Sequence, residues 1–267
     1  TSTGGFSTES GSIGVFSPYT QWFIIVFMVI AGASIALHIR AMRTPVDYLR
    51  RPQFRYYLVS LLIGIALLMI ALYFDGTGIP VREAVFTAVA TITGTGFVVT
   101  NYAVFPAAAL SVILLMMFSG GMSGSTTGAL KTYRVAIMLK SAASEVRRLT
   151  RPRVVSISRF GKTALPREVV STVHTYVVVY VVAFTLGTVL ILYAQSAWGS
   201  EIDLITGASA AASAIANLGP GLGFVGPAGT YAEIAVPAKW ILAMLMILGR
   251  LEIYPVILLF TASFWRR

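Results

Sequence analysis

Four apolar segments of this chain are each long enough to cross a lipid bilayer, and they constrain the fold more than any other feature. They cover residues 19–37, 56–74, 169–194 and 238–260. A hydrocarbon layer about 30 Å thick takes roughly 20 residues of α-helix to cross. Because backbone groups left unpaired in lipid are costly, such segments are expected to be helical. The sequence therefore predicts an all-α integral membrane protein.

The composition supports this class and excludes several functions. Of the 267 residues, 57% are apolar and only 11% are charged, whereas about a quarter of the residues in soluble domains are charged. The net charge of +10 could indicate nucleic-acid binding, but no aromatic RNA-binding motif accompanies the basic residues. The chain has no cysteine and only two histidines. We therefore expect no nucleic-acid partner, no cofactor in this chain and no enzyme activity.

The lysines and arginines predict the orientation of the chain in the membrane. Most of the 20 basic residues lie in two segments, 38–55 and 131–167. Cytoplasmic loops carry an excess of lysine and arginine, so both segments are expected to be cytoplasmic. The basic stretch after Lys140 is interpreted as a loop that sets this topology, and it could also form a docking surface for a cytosolic partner.

A repeated order of segments runs along the chain. Two further apolar runs, residues 81–93 and 204–218, are too short to cross a bilayer, and each leads into a glycine-rich stretch. Both are interpreted as re-entrant half-helices. The order span, half-helix, glycine-rich break, span occurs twice, and the opening "TSTGGFST", followed by a span, looks like the second half of the same unit. The three breaks align at Gly5, Gly96 and Gly219.

The glycine-rich breaks predict ion coordination. A dehydrated monovalent cation needs several oxygen ligands, and backbone carbonyls supply them without fixed charge. Glycine lets successive peptides aim their carbonyls inward, and the carbonyl end of a half-helix is partially negative. The break "TGTGF" is therefore interpreted as one wall of a cation selectivity filter. Close packing of helices through small residues is the alternative interpretation.

Five segments resemble the Trk-type potassium uptake subunit of the Trk/Ktr/HKT superfamily. They are "TSTGGFST", "TITGTGF", "GGMSGSTTGALKTYRV", "NLGPGLGFV" and "KWILAMLMILGRLEIYPVILLFTASFWRR". Members of that family carry four units of membrane helix, pore half-helix and membrane helix, arranged around one pore with pseudo-fourfold symmetry. The resemblance implies that this sequence is the C-terminal part of a longer chain.

The resemblance also implies a division of the sequence. Residues 1–43 would be the end of pore repeat two, 44–55 a cytoplasmic linker, 56–140 pore repeat three, 141–168 a basic cytoplasmic loop and 169–267 pore repeat four. Within repeat three, residues 119–128 would form an intramembrane gate loop.

The filter residues follow from the same resemblance. In repeat two they are Ser2, Thr3, Gly4 and Gly5, in repeat three Thr93, Gly94, Thr95 and Gly96, and in repeat four Ala216, Asn217, Leu218 and Gly219. Repeat four departs from the threonine–glycine pattern, and its Asn217 is expected to offer a side-chain oxygen. K⁺ is implied as the transported ion and as the only metal bound, at these filter residues.

The segment "SGGMSGSTTG" at residues 119–128 is expected to be non-helical and to close the pore beneath the filter. Its glycines disfavour a helix, and its hydroxyls would be costly against lipid. The gate residues are Gly120, Gly121, Ser123, Gly124, Ser125, Thr126, Thr127 and Gly128. The alternative is a plain glycine kink.

Arg250 is expected to be a barrier in the pore. It lies mid-span, where a charge costs roughly 2.5–3.5 kcal/mol on insertion scales. Facing the pore, it would repel cations and could hold carbonyls of the gate loop. The alternative is an arginine that pairs with another helix. Glu252, two residues on, lies on a different face and is not an expected partner.

The resemblance implies a function and partners. The function is potassium uptake through a carbonyl-lined filter, and a Na⁺- or H⁺-coupled K⁺ symporter of the same fold is the alternative. The implied partners are a second copy in a homodimer, a cytosolic nucleotide-binding regulatory subunit (TrkA-like) on the basic loops, and membrane lipid. The implied location is a prokaryotic plasma (inner) membrane.

A rhomboid-like intramembrane serine protease is a remote alternative. The stretch "GMSG" at residues 121–124 matches the nucleophile motif of those proteases, with Ser123 as the nucleophile. That chemistry needs a histidine base within hydrogen-bond reach. His38 and His174 both lie near the predicted cytoplasmic face, and neither has the glycine four residues before it that the family places there.

Overall fold

The computed structural model describes residues 3–9, 11–76, 78–150, 159–161 and 163–266, which are mostly α-helical. The α-helices are α1 (Pro18–Ala31), α2 (Ile35–Ala41), α3 (Asp47–Arg50), α4 (Pro52–Phe74), α5 (Val81–Ile92), α6 (Ala107–Ser119), α7 (Thr132–Thr150), α8 (Arg167–Ala197), α9 (Leu204–Ala216), α10 (Val236–Arg250), α11 (Ile253–Leu259) and α12 (Ala262–Trp265). Short 3₁₀ helices cover Ser12–Val15, Tyr102–Val104, Gly223–Val225 and Tyr231–Glu233. Strands β1 (Arg159–Phe160) and β2 (Thr163–Ala164) form an antiparallel hairpin, with Arg159 opposite Ala164.

Two of the four predicted spans are single helices, and the other two are bent. By length and composition, α4 and α8 can each cross a membrane. The chain bends by 100° between α1 and α2 and by 111° between α10 and α11. The spans predicted over residues 19–37 and 238–260 therefore each contain a bend. The described residues hold two unbroken spanning helices, or up to four spans if each bent pair is counted as one.

Both bends are stabilised by the segment that connects α6 to α7. At the first bend, the carbonyl of Gly32 accepts a hydrogen bond from the amide of Met122 at 2.9 Å, and the amide of Ile35 donates to the carbonyl of Gly124 at 3.1 Å. At the second bend, Glu252 has a left-handed φ of +60° and forms an ion pair with Lys131 at 2.6 Å. These contacts bridge long stretches of sequence, so a hydropathy pattern does not contain them.

The two half-helices were predicted at their observed positions, and each is enclosed by neighbouring helices. Helix α5 is buried from Phe86 to Ile92, among α1, α4 and α6. Helix α9 is buried from Ser209 to Ala216, among α6, α8 and α10. The alanines of α9 let its neighbours approach closely, as small residues do in membrane helix packing. The core therefore has two clusters, one around each half-helix, and Phe118 of α6 packs against both.

The non-helical segment predicted at residues 119–128 interrupts the apolar sequence between α6 and α7. Helix α6 ends at Ser119, residues 120–131 are not helical, and α7 begins at Thr132. Helix α7 continues to Thr150, so its last turns lie inside the stretch 141–168 that the sequence assigns to a loop. Residues 151–158 of that stretch lie outside the described residues, and the domain boundaries remain predictions.

Candidate functional site

The three glycine-rich breaks meet at one place in the fold. The amide of Gly5 donates a hydrogen bond to the carbonyl of Thr95 at 2.8 Å. A Cβ atom added to Gly96 would overlap the carbonyl oxygen of Leu218 and would lie 2.9 Å from the amide nitrogen of Gly5. A Cβ atom on Gly219 would overlap the carbonyl oxygen of Gly4. The backbones of the three breaks are therefore in direct contact, and there is no room for side chains between them.

The other predicted filter residues lie close to this junction. Gly94 faces Ala216, with 3.9 Å between an added Cβ and the carbonyl oxygen of Ala216. A cavity of about 150 Å³ is lined by Thr3, Thr93 and Thr95 on one side and by Thr126 of the predicted gate loop on the other. Ser2, also predicted for the filter, lies outside the described residues.

The breaks share a backbone conformation as well as a position. The aligned residues Gly5, Gly96 and Gly219 have left-handed φ values of +69°, +73° and +113°. Two residues earlier, Gly94 and Asn217 are also left-handed, at +63° and +55°. Glycine adopts this region without a steric penalty, and asparagine is one of the few other residues that visits it routinely. This similarity explains how an asparagine can replace a glycine in repeat four.

The Asn217 side chain attaches the break to the neighbouring helix. Its amide nitrogen donates to the carbonyl of Met246 on α10, at 3.2 Å. That its side-chain oxygen serves an ion stays a prediction. The backbone, rather than the side chain, is what makes Asn217 equivalent to Gly94.

The threonines of repeat three hold the turn at the end of α5. The hydroxyl of Thr93 donates to the carbonyl of Val89 at 2.7 Å and shares a hydrogen bond of 2.8 Å with the hydroxyl of Thr95. Both side chains are buried. These hydroxyls keep the turn rigid and satisfy one another, which buried polar groups require.

Two residues that support the break of repeat four were missed in the sequence. The hydroxyl of Ser213 accepts from the amide of Gly219 at 3.1 Å, and the hydroxyl of Tyr231 donates to the carbonyl of Gly219 at 3.1 Å. Burial raises the pKa of Tyr231 to about 12, so the hydroxyl keeps its proton and remains a donor. Ser213 has a sequence signal, since it lies in the last turn of a predicted half-helix. Tyr231 lies in a connecting segment and has none.

The segment 120–131 is closed on itself by hydrogen bonds. The hydroxyl of Thr127 accepts from the amide of Gly121 at 3.0 Å and shares a bond of 2.7 Å with the hydroxyl of Ser125. The amide of Thr132 donates to the carbonyl of Gly121 at 2.9 Å. Polar groups that are satisfied in this way can lie at membrane depth inside a protein. The prediction that this stretch is not a helix is confirmed.

Glycines of the same segment pack directly against the neighbouring backbones. A Cβ atom on Gly128 would overlap the carbonyl oxygen of Ala216, at the end of α9. A Cβ atom on Gly121 would lie 2.7 Å from the carbonyl oxygen of Gly32, at the bend between α1 and α2. The segment therefore lies between the filter end of α9 and the first bend.

Arg250 contacts both this segment and the breaks. Its Nη1 donates to the carbonyl of Thr126 at 2.7 Å and lies 3.4 Å from the hydroxyl oxygen of Thr3. Among the described residues it has no carboxylate partner. Structural pairing of Arg250 with another helix, the alternative interpretation, stays a prediction. The role of Arg250 as a barrier also remains a prediction.

Glu252 forms a separate charged cluster with the start of α7. Its two carboxylate oxygens lie 2.6 Å from Nζ of Lys131 and 2.5 Å from Nη2 of Arg134. The guanidinium carbon of Arg134 lies 3.9 Å from the ring centroid of Tyr176 on α8. The cluster therefore joins the second bend to the end of the segment 120–131. The sequence predicted only that Glu252 would not be the partner of Arg250. Glu252 pairs instead with Lys131 and Arg134.

The protease alternative finds no catalytic pair. Nδ1 of His38 forms a hydrogen bond of 2.5 Å with the hydroxyl of Tyr48, and the side chain of His174 is exposed on α8. Neither is hydrogen-bonded to Ser123, so no base is positioned to activate this hydroxyl. Within the part of the chain that the structure describes, no group of three or more His, Asp or Glu residues could hold a metal ion.

A family model described as TrkH, a cation transport protein, matches residues 1–267. The chain belongs to this family. It is 34% identical over 270 residues to the Trk system potassium uptake protein TrkH of Halomonas elongata and 31% identical over 270 residues to that of Escherichia coli K12. These matches cover 99% and 98% of this chain but 54% of each relative. The chain therefore spans about half the length of the curated relatives it matches.

A solved structure agrees with this assignment. The crystal structure of the potassium transporter TrkH from Vibrio parahaemolyticus matches with a TM-score of 0.89 and 31% identity, over 98% of this chain and 56% of that one. The predicted all-α integral membrane fold and the resemblance to the Trk family are both confirmed. Because these TrkH relatives are potassium uptake and transport proteins by name, the family is one of transporters rather than of enzymes.

Proposed function

We propose that this TrkH-family chain forms part of a membrane protein that takes up potassium. Its selectivity filter would include Thr3–Gly5, Thr93–Gly96 and Ala216–Gly219, with Ser2 as the residue preceding the first of them. The observation that carries this proposal is the direct contact of three glycine-rich breaks from three repeats, with left-handed φ values at the same aligned position. Simple helix packing through small residues does not account for this shared conformation.

The surroundings of the filter favour a cation. Helices α5 and α9 both end at the junction, at Ile92 and Ala216. The C-terminal end of a helix is partially negative, so both ends favour positive charge there. The described residues that line the adjoining cavity include no carboxylate and no imidazole. The junction therefore offers backbone oxygens and helix dipoles to a cation.

We also propose that residues 119–128 close the pore and that Arg250 holds them closed. The support is the hydrogen bond from Arg250 to the carbonyl of Thr126 and the position of the segment against the end of α9. Here Arg250 both repels a cation and binds the segment that would block it.

The location and partners that the resemblance implies are part of the same proposal. The protein would lie in a prokaryotic inner membrane as a homodimer, with the basic segments 38–55 and 131–167 in the cytoplasm. A nucleotide-binding regulatory subunit would dock on those segments. The observation behind this orientation is the concentration of lysine and arginine in the two segments.

Ion flux tests the proposed function. The complete protein that contains this chain would be reconstituted into liposomes, and uptake of rubidium or potassium would be measured with sodium as a competitor. We expect uptake that depends on the potassium gradient and is only weakly inhibited by sodium. Liposomes that take up no more potassium than protein-free ones, or that admit sodium equally well, would contradict the proposal.

Replacement of Ser123 by alanine is expected to leave most of the flux intact. Its hydroxyl has no histidine partner, whereas a serine nucleophile would be essential to a protease. The measurement is potassium uptake together with an assay for cleavage of membrane peptides. A parent protein that cleaves such a peptide, and a variant that does not, would reject the transporter interpretation of this segment.

Replacement of Glu252 by glutamine is expected to destabilise the protein. Lys131 and Arg134 are largely buried, and the loss of their shared carboxylate leaves two cations unpaired, at a cost of about 1–3 kcal/mol. The measurement is the thermal unfolding midpoint in detergent. The matched control is Glu233→Gln, since Glu233 is exposed and forms no ion pair among the described residues. Equal midpoints for the two variants would show that the cluster contributes nothing.

A further inference from the structure

A second and larger cavity is lined by α2, just after the first bend. Its volume is about 1180 Å³, and it is bounded by α2, by the start of α4, by the segment 120–131 and by the β1–β2 hairpin. Its lining includes Arg40, Arg50, Arg51, Arg55, Met122 and Thr163.

The charge of this cavity is positive and unbalanced. Four arginines line it, and none of the lining residues that the structure describes is acidic. Among the described side chains, none of the four guanidinium groups forms an ion pair with a carboxylate. Arg55 is held in place by a hydrogen bond of 2.6 Å from its Nε to the carbonyl of Leu49. Guanidinium groups bind phosphate oxygens through paired, charge-assisted hydrogen bonds, so the cavity suits a phosphate group.

The rim of the cavity is apolar and exposed. Five large apolar side chains on α2 and the segment that follows it are each more than half exposed: Ile35, Ile39, Met42, Val46 and Leu49. The 100° bend turns α2 almost perpendicular to α1. Exposed apolar side chains that alternate with arginines are typical of a segment that lies at the lipid interface.

We propose that this cavity binds the head group of an anionic phospholipid. The arginines would bind the phosphate, and the acyl chains would lie against the exposed apolar side chains such as Ile35 and Ile39. The apolar rim distinguishes a lipid from a free phosphate or a soluble nucleotide, which would have no use for it. Basic pockets between membrane helices are a recognised setting for anionic lipid.

The proposed lipid site adjoins the segment 120–131. Met122 lines the cavity, and the amide of Ile35 on α2 donates to the carbonyl of Gly124. A bound head group would therefore contact the helix that is hydrogen-bonded to this segment. The proposal concerns lipid binding alone, and it stands or falls independently of potassium uptake.

Lipid binding to the purified full-length protein tests the proposal. Native mass spectrometry and the thermal unfolding midpoint would be measured with phosphatidylglycerol, with phosphatidylcholine of the same acyl chains, and with inorganic phosphate. We expect retained phosphatidylglycerol and a raised midpoint with that lipid alone. The variant Arg40→Gln/Arg50→Gln/Arg51→Gln should lose both effects. The control Arg43→Gln/Arg147→Gln/Arg167→Gln removes the same charge from exposed residues outside the cavity and should keep both.

Several results would overturn this assignment. Equal retention of the two lipids by the parent protein would do so, as would equal losses in the cavity variant and the control. A midpoint raised as much by inorganic phosphate as by phosphatidylglycerol would mean that the ligand is a soluble phosphate. If the glutamine variant does not fold, Arg40→Lys/Arg50→Lys/Arg51→Lys keeps the charge and should retain phosphatidylglycerol. Loss of the lipid from that folded variant counts against charge recognition.

Discussion

Replacing Gly96 by alanine is expected to lower selective potassium uptake strongly. The added Cβ would overlap the carbonyl oxygen of Leu218 and crowd the amide of Gly5, and the residue would be held at a φ of +73°. Strain of this kind costs of order 1–3 kcal/mol, and each 1.4 kcal/mol corresponds to about tenfold in an equilibrium. The three breaks would have to separate, so both the rate and the preference for potassium over sodium should fall by about tenfold or more.

A matched glycine separates crowding from backbone strain. Gly76 has a φ of +68°, and a Cβ added there would meet nothing within 4 Å. Gly76→Ala therefore carries the same conformational penalty without the overlap, and it should transport normally. Uptake of potassium and rubidium with sodium as competitor measures both variants at equal expression. A Gly96→Ala protein with unchanged selectivity would remove this glycine from the filter.

Opening the proposed gate is expected to raise potassium flux by about as much as Gly96→Ala lowers it. Deletion of residues 120–126 removes the segment that lies against the end of α9, and it removes the Thr126 carbonyl that Arg250 binds. Arg250→Ala removes a positive charge that a cation would have to pass. Each variant is expected to raise potassium flux by roughly tenfold, which corresponds to a barrier lowered by about 1.4 kcal/mol.

The flux increases caused by the deletion and by Arg250→Ala should be less than additive. An arginine cannot hold a segment that has been deleted, so the double variant should conduct less than the product of the single effects predicts. Arg250→Lys keeps the charge and should stay closer to the parent than Arg250→Ala. The measurement is flux into liposomes under a potassium gradient. Loss of flux in a well-expressed Arg250→Ala protein would reject the barrier, and unchanged flux after the deletion would make the segment only a kink.

The elements that depend on local composition were predictable from the sequence. An apolar run that is too short to cross a bilayer and ends in glycine is a local pattern, and the half-helices Val81–Ile92 and Leu204–Ala216 were found at those positions. The non-helical stretch after Ser119 follows from four glycines in ten residues. The family resemblance rests on the same breaks. In each case the residues that determine the structure are neighbours in the chain.

The tertiary structure alone decided how these elements are joined. Two predicted spans are bent where groups distant in the sequence bind them. The amide of Met122 donates to the carbonyl of Gly32 at the first bend, and Lys131 pairs with Glu252 at the second. In the same way, the side-chain amide nitrogen of Asn217 donates to the carbonyl of Met246 on α10. Such bonds connect residues that are far apart in the sequence, and hydropathy and spacing record only what a residue's neighbours are. The sequence thus determined which segments enter the membrane and where they stop, whereas the packing of those segments decided which backbone groups meet.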